Sequence, residues 1–153
     1  NLYLLASDAG YGFVTQMENL LGKNRAGKAV LNLPDGGRVL SPLMVADADN
    51  DDIVAVTTEG HMLVFKIGEL PQLPKGKGNK IIAITPAKVQ DRSEFVAGYA
   101  VVSAGQTVVI HSGKRYLKLS RSELDHYRGE RGRRGNKLPR GFQNVDRIEI
   151  ESK

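Results

Sequence analysis

A pattern that recurs at intervals near fifty residues constrains this chain more than any other feature. Three stretches align: "NLYLLASDAGYGFVTQMENLLGKNRAGKAVLNLP", "DIVAVTTEGHMLVFKIGELPQLPKGKGNKIIAITP" and "QTVVIHSGKRYLKLSRSELDHYRGERGRRGNKLP". Each reads as strand, tight turn, strand, leucine and basic glycine-rich loop, with a further strand in the first two. Gly10, Gly60 and Gly113 supply the positive φ at which two strands reverse. Leu20 and Leu70 follow ten residues after their glycines and Leu124 follows eleven after its own. A repeat of this length implies an array of similar supersecondary units.

Strands are expected where β-branched and aromatic residues cluster in short runs: Val30–Leu33, Ile53–Val56, Met62–Ile67, Ile81–Ile84, Val101–Val102 and Val108–Ile110. Between the copies, "RVLSPLMVA" and "FVAGYAVVS" read as the fourth strand of each unit. Four short strands per fifty residues is the pattern of a propeller-like blade. The expected fold is therefore all-β, a β-pinwheel or propeller-like array of about three four-stranded blades forming an open arc. The copies fall at about 1–48, 52–103 and 106–151 within a single domain, 1–153. One stretch, "SRSELDHY", argues for a helix of at most two turns, with Ser120 or Ser122 as its cap.

The chain has 153 residues, 41% of them hydrophobic, enough for one core. Its net charge of +5 favours a polyanionic partner. No apolar run approaches the roughly 18 residues of a membrane helix, and no basic amphipathic helix stands out, so membrane insertion is not expected. The weight moves to nucleic acid. The absence of cysteine excludes disulfides and thiolate metal sites. The opening "NLYLLAS" lacks Met and a charged n-region, so the expectation is a piece of a longer protein without a signal peptide.

Several motifs suggest chemistry and have plainer explanations. "GKNRAGKA", 22–29, nearly matches the phosphate-cradling pattern, but Ala29 stands where the magnesium-binding hydroxyl is needed and a strand pattern follows where a helix should start. "DADNDD" places carboxylates at alternate positions like a calcium loop, yet Asp52 stands at the sixth place, where glycine is required, and Thr58 at the twelfth, where glutamate is required. It reads as a solvated acidic loop. His61, His111 and His126 lack metal-ligand spacing, and "HS" at 111–112 reads as a turn. No nucleophile motif or paired-carboxylate site occurs. In "KRYLKLS", alternation places Lys114, Tyr116 and Lys118 on one face, with Tyr116 expected to pack beneath the lysine stems. Tyr127 and Phe142 are expected to anchor the last basic loop.

That loop lies in "RGERGRRGNKLPRG", which holds five arginines, one lysine and four glycines. It is the third counterpart of "GKNRAGK" and "PKGKGNK". Loops at equivalent places in successive blades would form one positive stripe. Glycines there let backbone amides approach phosphates, and Lys and Arg add charge without reading bases. Lys23, Arg25, Lys28, Lys75, Lys77, Lys80, Lys114, Lys118, Arg128, Arg131, Arg133, Arg134, Lys137 and Arg140 are the candidate contacts to duplex DNA.

The blade period, "ASDAGYGF", "LPQLPKGKGNKI", "GERGRRG" and the closing "VDRIEI" together resemble the C-terminal domain of ParC, the cleaving component of bacterial DNA topoisomerase IV, which is related to the C-terminal domain of gyrase A. The resemblance covers essentially the whole chain. It implies a DNA-binding accessory module of an ATP-dependent type IIA topoisomerase, biasing substrate choice in decatenation and supercoil relaxation. The module would be cytoplasmic, on the bacterial chromosome. Further partners would be a second copy of ParC and the enzyme's B subunit. ATP and magnesium would be used elsewhere in the parent, and the cleaving tyrosine would lie outside this chain, so Tyr3, Tyr11, Tyr99, Tyr116 and Tyr127 would have no catalytic role. The DNA-wrapping Q-R-R-G-G-K-G box of gyrase is missing, and Arg133-Arg134-Gly135-Asn136-Lys137 comes nearest to it.

Three alternatives remain at this level: a gyrase DNA-wrapping domain, a propeller scaffold that binds proteins only, and an RNA-associated arginine-glycine tail after Tyr127.

Overall fold

The structure, a computed structural model, describes residues 1–20 and 30–152. Three antiparallel sheets stand side by side as an open array. The first contains β1 (Leu2–Ala6), β2 (Tyr11–Gln16), β3 (Leu43–Val45) and β6 (Asn79–Lys80), in the order β3-β1-β2-β6. The second orders β10 (Asn136–Lys137), β5 (His61–Lys66), β4 (Asp52–Thr57) and β7 (Val96–Val102) as β10-β5-β4-β7. The third is β11 (Arg147–Glu151), β8 (Thr107–Ser112) and β9 (Arg115–Leu119), in the order β11-β8-β9. At the inner end of the sheets, β7 lies against both β3 and β11. The outer end is formed by β6, β10 and β9.

The middle sheet explains why its strands read as unbroken apolar runs. Ile53, Ala55, Leu63, Phe65, Tyr99 and Val101 enter the core shared with the first sheet. Their neighbours Val54, Val56, Met62, Val64, Ala100 and Val102 enter the core shared with the third. Successive side chains of a strand point to opposite faces, and both faces are covered here. The repeated leucines secure the chain after each hairpin, Leu70 and Leu124 in the two cores and Leu20 against a smaller cluster around Phe13.

The outer strands depart from the expected arrangement. Ile81–Ile84 is not a strand, and Val30–Leu33 contributes only an isolated parallel bridge from Leu31 to Gly76. The outer strand of the first sheet is instead Asn79–Lys80, from the second sequence copy, paired with Gly12 and Tyr11. Asn136–Lys137, from the third copy, likewise pairs with Met62 and His61 of the second sheet. Each sheet with four strands thus borrows its outermost strand from the following copy. Ile81 and Ile82 are apolar because they are fully buried just past the borrowed strand.

The third sheet has three strands, and no strand among the described residues pairs with the outer edge of β9. "SRSELDHY" forms a 3-10 turn at Glu123–Tyr127 in place of an α-helix. Ser120 Oγ accepts from the Glu123 amide (3.3 Å) and Glu123 Oε1 accepts from the Ser120 amide (2.8 Å), a reciprocal capping box. Short helices at Met17–Leu20 and Pro86–Asp91 add to the elements that the strand pattern implies. Pro86 in the first turn and the left-handed Arg92 at the C-terminal cap are the local signals for the second. No helix among the described residues is long and apolar enough to cross a membrane.

Candidate nucleic-acid interface

The tripeptide Gly-Asn-Lys occurs twice, at 78–80 and 135–137, and twice takes the same place. Gly78 and Gly135 both have φ of +81°. A Cβ at Gly78 would meet the Gly12 carbonyl, and one at Gly135 the Met62 carbonyl. Only glycine lets the incoming loop come this close to the preceding sheet. The residue after each lysine then donates its amide to the hairpin glycine of that sheet, Ile81 to Gly10 O (2.6 Å) and Leu138 to Gly60 O (2.8 Å). Lys80 and Lys137 are thereby fixed on the outermost strands, and both are exposed.

The second loop touches the segment 30–32, and the third loop touches the second. The Gly76 amide donates to Val30 O (2.8 Å) and the Asn32 amide to Gly76 O (2.9 Å). From the second loop to the third, the Gly132 amide donates to Ile81 O (2.8 Å), the Ala83 amide to Arg133 O (3.0 Å), and Arg131 Nη1 to Lys80 O (2.8 Å). Lys75, Lys77, Lys80, Arg131, Arg133 and Lys137 therefore belong to adjoining segments. Lys23, Arg25 and Lys28, with the near-match to a phosphate loop, lie outside the described residues.

The arginines of the third loop differ in what they touch. Among the described residues Arg133 pairs only with Glu130, and both side chains are largely exposed. Such a pair contributes at most about 1 kcal/mol and leaves the guanidinium able to take another anion. Arg128 instead donates through Nη1 and Nη2 to both oxygens of Asp52 (3.0 and 2.8 Å), which is fully buried and also takes Nε of Arg121 (3.1 Å). Arg134 donates through Nη2 to Oε1 of Glu94 (2.9 Å), and its Nη1 stands 2.8 Å from Oε2. Glu94 is 1% exposed.

For Asp52 and Glu94, burial pushes the carboxyl up, yet the arginine hydrogen bonds and charges outweigh it and hold both below the ordinary carboxylate range. A third buried acid, Asp8, takes Arg92 (2.8 Å). These three acids and Arg92 and Arg121 carry no signal in the sequence, because their partners stand 40 to 84 residues away.

Other expectations are corrected or upheld. The acidic loop is only half solvated: Asp51 is buried, accepting the Ala46 and Asp47 amides (3.0 and 2.9 Å) and the Ser103 hydroxyl (2.7 Å), and Asp52 is the arginine acceptor. His111 and Ser112 lie inside β8 and form no turn. Tyr116 is 62% exposed and does not pack beneath lysine stems. Tyr127 and Phe142 are buried anchors in the core between the second and third sheets. The segment after Tyr127 is built into the fold, since Leu138, Phe142 and Val145 join that core and β11 completes the third sheet.

Lys118 pairs with Glu151 (3.3 Å) on the outer strand β9. Lys114 is exposed at the head of the same hairpin, and Gly141, beside the exposed Arg140, lies against Arg115. Burial, then the Arg134 charge, lowers the His61 pKa, so the ring facing Lys137 is neutral at pH 7. No group of three metal-ligating side chains occurs among the described residues.

The profile of the family described as DNA gyrase C-terminal domain, beta-propeller, matches residues 2–46 and 51–103. The A subunit of DNA topoisomerase 4 from Pseudomonas aeruginosa is 55% identical over 150 residues, 98% of this chain and 20% of the relative. Its Escherichia coli K12 counterpart is 48% identical over 149 residues, again 20% of its length. The chain thus spans about a fifth of these curated relatives. Among solved structures, the E. coli ParC C-terminal domain superposes with a TM-score of 0.87 at 47% identity, covering 99% of this chain and 61% of that one. A gyrase A C-terminal domain, at 14% identity and a TM-score of 0.67, shares the fold.

Proposed function

The chain belongs to the DNA gyrase C-terminal-domain family of β-propellers, and from that premise we propose that it is the part of a topoisomerase IV ParC protein that grips duplex DNA. The observation that carries this reading is the contact between the second and third basic loops along the outer rim, where Lys80 and Lys137 sit on equivalent outermost strands. Backbone-directed lysines and arginines without a base-reading helix suit a duplex held by its phosphates and curvature, with little sequence preference.

In the whole enzyme the grip biases which DNA segments are relaxed or unlinked on the bacterial chromosome, in the cytoplasm. Strand cleavage, ATP and magnesium belong to regions outside this chain, including a second copy of ParC and the enzyme's B subunit.

Counterion release supplies the test. If about six phosphates are neutralised, affinity for a duplex of arbitrary sequence falls roughly 10³-fold between about 50 and 200 mM salt. Replacing Lys75, Lys80, Arg133 and Lys137 together by glutamate abolishes that binding. Unchanged affinity and salt slope in this variant would rule the reading out. A salt-insensitive protein partner in its place would support the scaffold alternative.

A further inference from the structure

We infer that the two cations flanking each Gly-Asn pair have different jobs: the one before the glycine positions the strand, and the one after the asparagine meets the phosphate. This deepens the DNA-grip reading and rests on it. In the third loop the preceding cation is Arg134. Its Nη2 donates to Oε1 of the buried Glu94 (2.9 Å), and its Nη1 donates to Ala83 O (3.2 Å). Both acceptors belong to the second sequence copy, so the guanidinium ties the third loop to the segment it crosses.

In the second loop the matching cation, Lys77, is itself exposed, but its Nζ lies 4.3 Å from the centre of the Tyr11 ring, on the strand that receives Asn79–Lys80. Two loops with different side chains thus turn the same position onto the preceding sheet. The lysine after each asparagine is exposed at the rim.

Arginine suits the inward place because its rigid planar fork donates from separate nitrogens to Glu94 Oε1 and to Ala83 O while its charge stands beside the second carboxylate oxygen, a geometry that an ammonium does not reproduce. A guanidinium held this way keeps its charge near the DNA but has its donors turned away from a phosphate. Its contribution to binding is the placement of Lys137, so Arg134 is a positioning residue.

The experiment compares Arg134→Lys, Glu94→Gln and Lys137→Gln in the 153-residue chain by two measurements, hydrogen exchange at the Leu138 amide and the salt dependence of duplex affinity. That amide closes the borrowed strand onto Gly60. Arg134→Lys and Glu94→Gln are expected to speed its exchange by about tenfold or more and to weaken binding with the slope unchanged. Lys137→Gln is expected to leave the exchange intact and lower the slope by about one.

If Arg134 met phosphate as a charge, Arg134→Lys would bind with normal affinity and Arg134→Gln would lower the slope by about one. Either result, or normal Leu138 exchange in Glu94→Gln, overturns the inference. A chain that binds no duplex, yet shows faster exchange in Arg134→Lys and Glu94→Gln, overturns the DNA reading and leaves the clamp in place.

Discussion

At the scale of single residues, three of the buried carboxylates among the described residues, Asp8, Asp52 and Glu94, are each matched to a guanidinium. Asp52 bears the heaviest demand, because two arginines from the third sequence copy converge on an acid of the second. Asp52→Asn leaves Arg121 without its anion and Arg128 with only the exposed Asp125 (3.2 Å). It is expected to cost about 3 kcal/mol, at the lower end for a broken buried pair because both arginines still reach solvent. For a chain of this length that corresponds to a fall of roughly 10 °C in the thermal midpoint, measurable by circular dichroism.

The acid dependence follows from the same contacts. Asp52 and Glu94 are both held below their ordinary values, so the unfolded chain takes up their protons first as the pH drops. Their stabilisation is fully present above the unfolded carboxylate range and is lost as pH falls through the lower folded values. Denaturant titrations are expected to show stability declining below about pH 4.5, with a shallower decline in Asp52→Asn.

At the scale of elements, the borrowed two-residue strand is the distinctive unit, and its glycine is its weak point. Gly135→Ala must place a Cβ against the Met62 carbonyl from a left-handed backbone. The expected cost is about 2 kcal/mol or more, read by urea unfolding, with duplex affinity reduced and its salt slope unchanged because no charge is lost.

Much of the element level is legible in the sequence. The hairpin glycines, the strands of the middle sheet and the anchor Phe142 follow from turn chemistry and from short runs rich in β-branched and aromatic residues. The outer strands do not. "IIAI" at 81–84 has the composition of a strand but is apolar because it is buried, whereas Asn79–Lys80 carries no strand propensity and is held by backbone bonds to a neighbouring sheet.

At the scale of the whole molecule, exchange of outer strands makes neighbouring blades depend on one another. Ending the chain after Tyr127 removes β10 from the second sheet, β11 from the third, and Leu138, Phe142 and Val145 from the core between them. Such a truncation is expected to abolish cooperative unfolding of the second and third sheets together, seen as lost hydrogen-exchange protection in β5 and β8. Retention of native protection would mean that the basic segment is an appendage.

The sequence by itself determined the number of hairpins, the places where they turn, the strands of the middle sheet, and the recurrence of a basic glycine loop. Those properties are local: they depend on φ at a glycine, on short runs of β-branched residues and on a period that can be counted. Only the tertiary structure decided which sheet each loop closes and which arginines face inward. Strand pairing and ion pairing join residues such as Arg134 and Glu94, or Arg128 and Asp52, that stand 40 and 76 positions apart. An arginine bound to a buried acid and one open to solvent are spelled alike, and only the partner brought near by folding separates them.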